Sequence, residues 1–225
     1  MPKLLKCVEV ETGGVVRAAV VWMHGLGADG HDFEPIVPHL GLEGRGVRFV
    51  FPHAPRRAVT INMGLLMPAW YDIRGLGPGS VTDERGIADS AGQVEALVAR
   101  EKERGVPAAR IVLAGFSQGG VIALHVGLRH SQRLAGIMAL STYLPEVSGR
   151  AGSLSPVNAG LPIFQAHGTD DPMIPIEGGE RARDHLTALG YPVEFHAYPM
   201  EHSVAPEEIA DIGDWLRDRL PALAG

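Results

Sequence analysis

The chain has 225 residues, a formal net charge of -6 and 45% hydrophobic residues, which together indicate a folded domain with a substantial core. The acidic balance argues against nucleic acid as a partner, because such binding needs a basic face. No stretch approaches the roughly 18 apolar residues of a membrane span. We therefore expect one soluble domain over residues 1–225, without integral membrane association.

Cysteine content and the N-terminus bear on the compartment. Cys7 is the only cysteine, so no internal disulfide forms. The first residues are basic, but they do not lead into the apolar stretch of about 7–15 residues that a signal peptide requires. These features predict a cytoplasmic protein.

The first strongly apolar run, residues 15–23, predicts a central strand, and a glycine-rich loop follows at residues 24–30. The glycines of this loop match G-x-G-x-x-G, the dinucleotide fingerprint, which needs a helix at once and an acidic residue at the end of the next strand. Prolines in the following segment disfavour such a helix, and the next strand, 47–51, ends in proline. The better interpretation is a loop that turns backbone N–H groups toward a site.

Residues 62–85 show neither a helical nor a strand period and predict a long loop, and loops of this length are usually functional. Its apolar side chains would line an adaptable substrate pocket or merely anchor the loop to the core, and the sequence leaves both alternatives open. The predicted pocket residues are Met63, Leu65, Leu66, Met67 and Trp70.

An amphipathic helix is predicted over residues 86–104, followed by a buried strand at 110–113 and a buried helix at 121–128. Between the last two lies Ser117, with a glycine two residues before it and another two residues after. This pattern at a strand-to-helix junction predicts a nucleophile elbow, in which only small neighbours let the strand and helix pass so closely. The serine hydroxyl would then lie at a helix N-terminus, which favours negative charge.

The C-terminal half continues the alternation of strands and helices. Strands are predicted over 134–140, 162–166 and 193–198, helices over 179–189 and from 206 onward, and a second long loop over 141–161. Strands that alternate with helices predict an α/β fold with a mostly parallel central sheet, covered by helices on both faces.

A nucleophilic serine needs a base, and the base needs an orienting acid. In the fold that carries the elbow, the order along the chain is serine, acid, histidine, and ligand sites lie beyond the carboxyl ends of the strands. His202 follows the strand 193–198 and is the predicted base. His196 lies within that strand, and His185 lies in a helix.

The loop after strand 162–166 offers Asp170 and Asp171 as the acid. Asp171 precedes a proline that restricts its backbone, but the residues alone barely separate the two. The oxyanion formed on attack needs two N–H donors. The backbone of Gln118 is placed to supply one donor, and the loop 24–30 is placed to supply the other.

Four blocks together resemble the phospholipase/carboxylesterase family of α/β-hydrolases, which includes bacterial carboxylesterases and acyl-protein thioesterases. These blocks are HGLGADGHDF (24–33), WYD (70–72), GFSQGG (115–120) and HGTDDP (167–172), and the likeness covers nearly the whole chain. The resemblance implies Asp171 as the acid, Leu26 and Gln118 as the oxyanion donors, and the 62–80 region as the acyl-binding side. Glu201 stands where the family commonly has glycine. No large insertion is present, so the resemblance implies an open cleft without a separate cap domain.

The predicted function is that of a serine carboxylesterase, which cleaves short-to-medium acyl esters through an acyl-enzyme on a Ser117–His202–Asp171 triad. Acyl-protein thioesterase or lysophospholipase activity is the alternative, because the same groups perform that chemistry. A non-catalytic small-molecule binding protein on the same scaffold is an alternative of another class. The expected partner is a small ester or acyl thioester, with no cofactor and no metal, and a homodimer is compatible with the sequence.

Overall fold

The computed structural model describes residues 4–75, 80–145 and 154–221. Residues 76–79 belong to the predicted loop 62–85, and residues 146–153 belong to the predicted loop 141–161. Residues 1–3 belong to the N-terminal segment, for which no signal peptide is predicted. Those parts of the predictions, and the last four residues of the predicted domain 1–225, lie outside the described residues.

A seven-stranded sheet forms the centre of the fold, with the strand order β1-β3-β2-β6-β7-β8-β9. All neighbouring strands run parallel except β1, which pairs antiparallel with β3 at one edge. The strands are β1 (Cys7–Glu11), β2 (Ala18–Met23), β3 (Val47–Pro52), β6 (Ile111–Phe116), β7 (Gly136–Leu140), β8 (Ile163–Gly168) and β9 (Val193–Tyr198). The predicted mostly parallel sheet is confirmed.

Helices cover both faces of this sheet, as predicted. They are α1 (Glu84–Glu103), α2 (Gln118–Gly127), α3 (Ile176–Ala188) and α4 (Pro206–Arg219), and a 3₁₀ helix covers Glu34–His39. Successive residues of β2 point to opposite faces, so the core has two halves. Ala19, Val21 and Met23 lie in the half that contains residues of α1, α2 and α3, whereas Ala18, Val20 and Trp22 lie in the half that contains residues of α4.

The predicted long loop at 62–85 is wrong in its first part, because a strand lies there. The strand β5 (Leu65–Pro68) pairs antiparallel with β4 (Arg56–Val59) in a hairpin beside the main sheet. Its turn contains the 3₁₀ helix Thr60–Asn62 and Met63 in the left-handed region at φ 55°. A four-residue strand is too short to show a period, and the exposure of both Leu65 and Leu66 removes the usual alternation of buried and exposed side chains.

A charged network ties the edge strand β1 to the end of α1, where Glu9 lies 2.7 Å from Arg100 and 3.0 Å from Arg104. The carboxylate of Glu101 is fully buried and lies 2.8 Å from Arg48, 3.0 Å from Arg100 and 2.9 Å from Arg104. Cys7, on the same edge strand, is partly buried, and this burial raises the pKa of its thiol to about 11. The network therefore compensates a buried carboxylate that would be costly alone.

Within the described ranges, the structure contains no helix with the length and apolarity needed to cross a bilayer. The predicted cytoplasmic location and the oligomeric state stay predictions.

Candidate active site

Ser117 lies at the junction of β6 and α2, beyond the carboxyl end of a central strand. Its backbone is in an unusual conformation for a non-glycine residue, with φ 53° and ψ -118°. The Ser117 N–H donates to the Leu140 carbonyl at 2.8 Å, and its own carbonyl accepts from the Thr142 hydroxyl at 2.7 Å. Such strain persists only where the surroundings over-determine it, and here Leu140 and Thr142, at the end of β7 and just beyond it, fix Ser117 on both sides of its Cα.

The glycines beside Ser117 are required by close backbone approach. A β-carbon on Gly115 would lie 2.2 Å from the carbonyl carbon of Gly119, and a β-carbon on Gly119 would lie 2.4 Å from the carbonyl oxygen of Met23. Backbone atoms cannot move aside as a flexible side chain can. The sharp strand-to-helix turn predicted from the sequence is therefore present, and its cause is steric.

Asp171 and His202 meet at the carboxyl ends of β8 and β9. His202 Nδ1 lies 2.6 Å from Asp171 Oδ2, and Asp171 Oδ1 accepts from the N–H groups of Met173 and Ile174 at 2.8 and 2.9 Å. The Asp171 carboxylate is fully buried, whereas Asp170 is exposed and accepts from its neighbour Thr169. Of the two aspartates that the residues alone left open, the structure thus brings Asp171 to His202.

His202 is half-buried and lies against the residue before the serine, with 4.7 Å between the ring centroids of Phe116 and His202. Donation from Nδ1 to Asp171 leaves Nε2 free to accept a proton. Within the described part of the chain, the Ser117 hydroxyl forms no hydrogen bond, and catalytic contacts of this kind often tighten only when substrate binds. The other two histidines weighed from the sequence lie elsewhere: His196 stacks on Phe164, and His185 is exposed on α3.

The glycine loop lies directly beside the serine, since a β-carbon on Gly25 would be 3.5 Å from Ser117 Cβ. The N–H of Gly27 donates to Pro68 at 2.9 Å, and that of Ala28 to Gly25 at 3.4 Å. Among the residues that the structure describes, the backbone N–H groups of Leu26 and Gln118 have no acceptor in the protein. Both predicted oxyanion donors are therefore available to a ligand.

Two histidines hold the glycine loop and were not singled out from the sequence. His24 is buried; its Nδ1 lies 2.7 Å from the Gly25 carbonyl, and its Nε2 accepts from the Ala54 N–H at 3.1 Å. This pairing requires the neutral ring, and burial lowers the pKa of His24 accordingly. At the end of the loop, the Gly30 N–H donates to Nδ1 of His53 at 3.1 Å.

A further histidine, His167, lies behind the acid and was also missed. It is fully buried; its Nε2 lies 2.8 Å from the Ile174 carbonyl and 3.6 Å from Asp171 Oδ2. Burial lowers the pKa of His167, so the neutral ring donates to Ile174 and fixes the loop that holds Asp171. Its position at the end of a buried strand, four residues before the acid, is the signal that could have identified it.

The predicted pocket residues separate into two groups. Met63, Leu65 and Leu66 are exposed on the β4–β5 hairpin, and Met67 is close to the glycine loop, because a β-carbon on Gly27 would lie 4.0 Å from its sulfur. Trp70, in contrast, is fully buried, and its indole N–H donates to the His24 carbonyl at 2.8 Å. The structure therefore places Trp70 beneath the glycine loop instead of on an open pocket wall.

No group of three or more histidine, cysteine, aspartate or glutamate side chains in the described ranges is arranged to hold a metal ion.

Comparison with known proteins identifies a family and relatives whose sequences are similar to this chain. The profile of the phospholipase/carboxylesterase family matches residues 5–220. Acyl-protein thioesterase 1 of Neurospora crassa is 41% identical over 218 residues, which cover 92% of this chain and 89% of that protein. Acyl-protein thioesterase 1 of Cryptococcus neoformans is 35% identical over 237 residues, which cover 98% of this chain and 100% of that protein.

Solved structures of two plant proteins have the same fold as this chain. SOBER1 of Arabidopsis thaliana superimposes with a TM-score of 0.85 at 32% identity, covering 91% of this chain and 100% of that one. Acyl-protein thioesterase 2 of Zea mays superimposes with a TM-score of 0.85 at 27% identity, covering 96% and 99% of the two chains.

Proposed function

This chain belongs to the phospholipase/carboxylesterase family of α/β-hydrolases, and we propose that it is a serine hydrolase of acyl thioesters, including acylated proteins, that also cleaves carboxylic esters. The relatives named acyl-protein thioesterase favour the thioesterase alternative over the simple carboxylesterase that we put first from the sequence. Because the family consists of ester and thioester hydrolases, we do not retain the alternative of a non-catalytic binding protein.

The observation that carries the proposal is the 2.6 Å pair between His202 Nδ1 and the buried carboxylate of Asp171, beside the strained turn at Ser117. A carboxylate on Nδ1 holds the imidazole in the tautomer whose Nε2 can take a proton. The nucleophile, the base and the acid also follow one another in the order that this fold requires.

In the proposed reaction, the Ser117 hydroxyl oxygen attacks the acyl carbonyl carbon while its proton passes to His202 Nε2. The carbonyl oxygen becomes an oxyanion, which the backbone N–H groups of Leu26 and Gln118 stabilise. Collapse of this intermediate breaks the bond to the leaving group, and His202 returns the proton to the departing thiolate or alkoxide. Water then attacks the carbonyl carbon of the acyl-enzyme while its proton passes to His202 Nε2. Collapse of this second intermediate breaks the bond to Ser117, which takes the proton from His202, and releases the carboxylic acid.

The surface beside this site suits an acyl chain attached to a larger group. In the described part of the chain, no helical cap lies over this edge of the sheet. The β4–β5 hairpin instead presents Leu65, which is 58% exposed and shares a strand face with Met67, the residue whose sulfur lies close to the glycine loop. An aliphatic chain that lay along this face of the hairpin would leave water, at roughly 0.8 kcal/mol per buried methylene group.

The test compares three substrates that carry the same octanoyl group: a carboxylic ester, the corresponding thioester and a peptide acylated on cysteine. We expect the wild type to cleave all three and Ser117→Ala to lose at least about 10⁴-fold in kcat on each. Turnover of the oxygen ester alone would contradict the thioesterase proposal. Equal labelling of the wild type and Ser117→Ala by a fluorophosphonate would overturn the serine mechanism itself.

A further inference from the structure

One short segment contacts both halves of the proposed oxyanion hole. This bridging segment, residues 68–71, follows the hairpin strand β5. On one side it holds the glycine loop, because the Trp70 indole N–H donates to the His24 carbonyl at 2.8 Å and the Pro68 carbonyl accepts from the Gly27 N–H at 2.9 Å. These two bonds lie on either side of Leu26 along the chain.

On its other side, the bridging segment holds Gln118 through the side-chain amide. The Gln118 Oε1 accepts from the Trp70 backbone N–H at 2.7 Å, and its Nε2 donates to the Tyr71 carbonyl at 2.7 Å. The side chain of Gln118 is buried, so these backbone groups replace the water that the amide would otherwise bind. Gln118 is also the residue whose backbone N–H is the second proposed oxyanion donor.

The bridging segment is itself held firmly. The Ala69 N–H donates to the Pro55 carbonyl at 3.0 Å, and the Ser90 hydroxyl of α1 donates to the Trp70 carbonyl. The buried hydroxyl of Tyr71 lies 3.1 Å from the hydroxyl of Tyr143, close after Thr142, which binds the Ser117 carbonyl. Hydrogen bonds of Ala69 and Trp70 therefore connect the segment to Pro55 and to α1. The Tyr71 hydroxyl connects it to Tyr143, next to the residue that binds the Ser117 carbonyl.

We infer that the side chain of Gln118 and the indole of Trp70 are positioning residues, which set the distance between the two oxyanion donors through the bridging segment. The inference rests on the proposed serine hydrolase function. An oxyanion hole works when its donors lie about 2.7–3.1 Å from the developing oxyanion. Displacement of one donor by about 1 Å can cost a factor on the order of 100 in rate, even though substrate still binds.

The variant that tests this is Gln118→Met, which keeps the backbone N–H and a similar side-chain volume but loses both amide hydrogen bonds. Trp70→Phe removes the indole donor on the other side, together with part of the buried ring. Gln132→Met is the matched control, because Gln132 is exposed in the loop between α2 and β7. The measurements are kcat and KM with an octanoyl thioester, the inhibition constant of an octyl trifluoromethyl ketone, and the unfolding midpoint.

We expect kcat of Gln118→Met to fall by about 10- to 100-fold while KM changes by less than about threefold. The ketone forms an oxyanion on the serine, so its affinity should weaken by the same factor as kcat/KM. A lower unfolding midpoint with unchanged kcat would show a merely structural role and would overturn the inference. Gln132→Met should match the wild type throughout.

The double variant Gln118→Met/Trp70→Phe tests whether one segment serves both donors. If it does, the two losses in kcat are less than multiplicative, because the first change already releases the segment. Multiplicative losses would mean independent supports and would overturn the shared role. If the wild type turns over the octanoyl thioester and Gln118→Met has the same kcat, only this inference is refuted. If the wild type is inactive, the proposed function is refuted as well. Should Gln118→Met fail to fold, Trp70→Phe alone, with the same ketone measurement, decides the outcome.

Discussion

The Cα of Gly168 lies so close to the chain at Met200 that a β-carbon on residue 168 would be 2.3 Å from the Met200 carbonyl oxygen. That same oxygen accepts from the Asp170 N–H at 3.1 Å, and the Thr169 N–H donates to the Tyr198 carbonyl at 2.8 Å. The loop that contains the acid and the loop that contains the base are therefore joined backbone to backbone, just ahead of Asp171 and His202.

Gly168→Ala should separate these two loops. Because the atom in the way is a backbone oxygen, we expect a loss of about 1–3 kcal/mol in the free energy of unfolding and a fall in kcat on the order of 100-fold. Denaturant unfolding and steady-state kinetics measure the two effects. Gly92→Ala is the control: a β-carbon there meets open space within α1, and alanine should stabilise the helix by up to about 1 kcal/mol. Full activity of Gly168→Ala would show that the close approach does not matter for the site.

Asp171→Asn should lower kcat by about 10⁴-fold, because an amide facing Nδ1 favours the wrong tautomer of His202. Asp170→Asn, one residue away and exposed, should leave kcat unchanged within about twofold. Steady-state kinetics on one octanoyl thioester compares the pair directly. Comparable losses in both variants would contradict the assignment of Asp171 as the acid.

Glu208, on the first turn of α4, should make the protein less stable as the pH rises. Burial raises the pKa of its carboxyl to about 8, against a smaller opposing effect of the Ala205 backbone. The unfolded chain ionises near the ordinary value of 4.5 while the folded chain stays protonated, so stability falls by about 1.4 kcal/mol per pH unit between these values. Glu208→Gln should therefore unfold like the wild type at pH 4.5 and be more stable by a few kcal/mol, roughly, at pH 8. Denaturant unfolding at both pH values checks this, and parallel curves for the two proteins would contradict it.

His167 should act in the opposite direction. Burial lowers its pKa in the folded state, so its contribution to stability is present above the unfolded pKa and is lost as the pH falls. His167→Gln keeps a donor for the Ile174 carbonyl and cannot titrate. Its free energy of unfolding should change less than that of the wild type between pH 7.5 and pH 5.5. An equally steep acid limb in both proteins would show that His167 does not cause it.

The hairpin should influence the choice of acyl chain. We expect short-to-medium acyl groups to be accepted, with kcat/KM rising from acetyl to octanoyl as methylene groups are buried. Leu65→Asn should lower kcat/KM for octanoyl substrates by about 10-fold and leave acetyl substrates unaffected. Leu189→Asn is the control, since that leucine is also exposed but caps the C-terminus of α3, outside the hairpin. A flat profile from acetyl to dodecanoyl in the wild type would rule out this role.

The sequence predicted the sheet well because buried parallel strands are continuous apolar runs. It also predicted the turn at Ser117, since the glycines there are set by local sterics. The edge strand β1 was not predicted, because its alternation of apolar and acidic residues, typical of a strand, extends over only five residues; its Glu11 binds Arg48. The strand β5 was missed because its leucines face solvent on a hairpin of four residues per strand.

The sequence predicted the site residues whose role depends on their position along the chain. It was less informative where the role depends on the direction in which a side chain points. His202 follows from its place after a strand, but Asp170 and Asp171 share that place and differ only in which way each carboxylate points. The sequence predicts Trp70 as a pocket residue, because an aromatic ring in a loop suits either role. Only its bond to His24 shows that the ring supports the glycine loop.

The single thiol of this chain has a practical consequence for following thioester cleavage. Cys7 is on the edge strand β1, with β3 and β2 between it and the strand that leads to Ser117, and its pKa of about 11 keeps it protonated at neutral pH. Aromatic disulfide reagents react with thiolates. Such a reagent can therefore be present during turnover and colour each released thiol as it forms, while the protein adds little background and keeps its own cysteine unmodified.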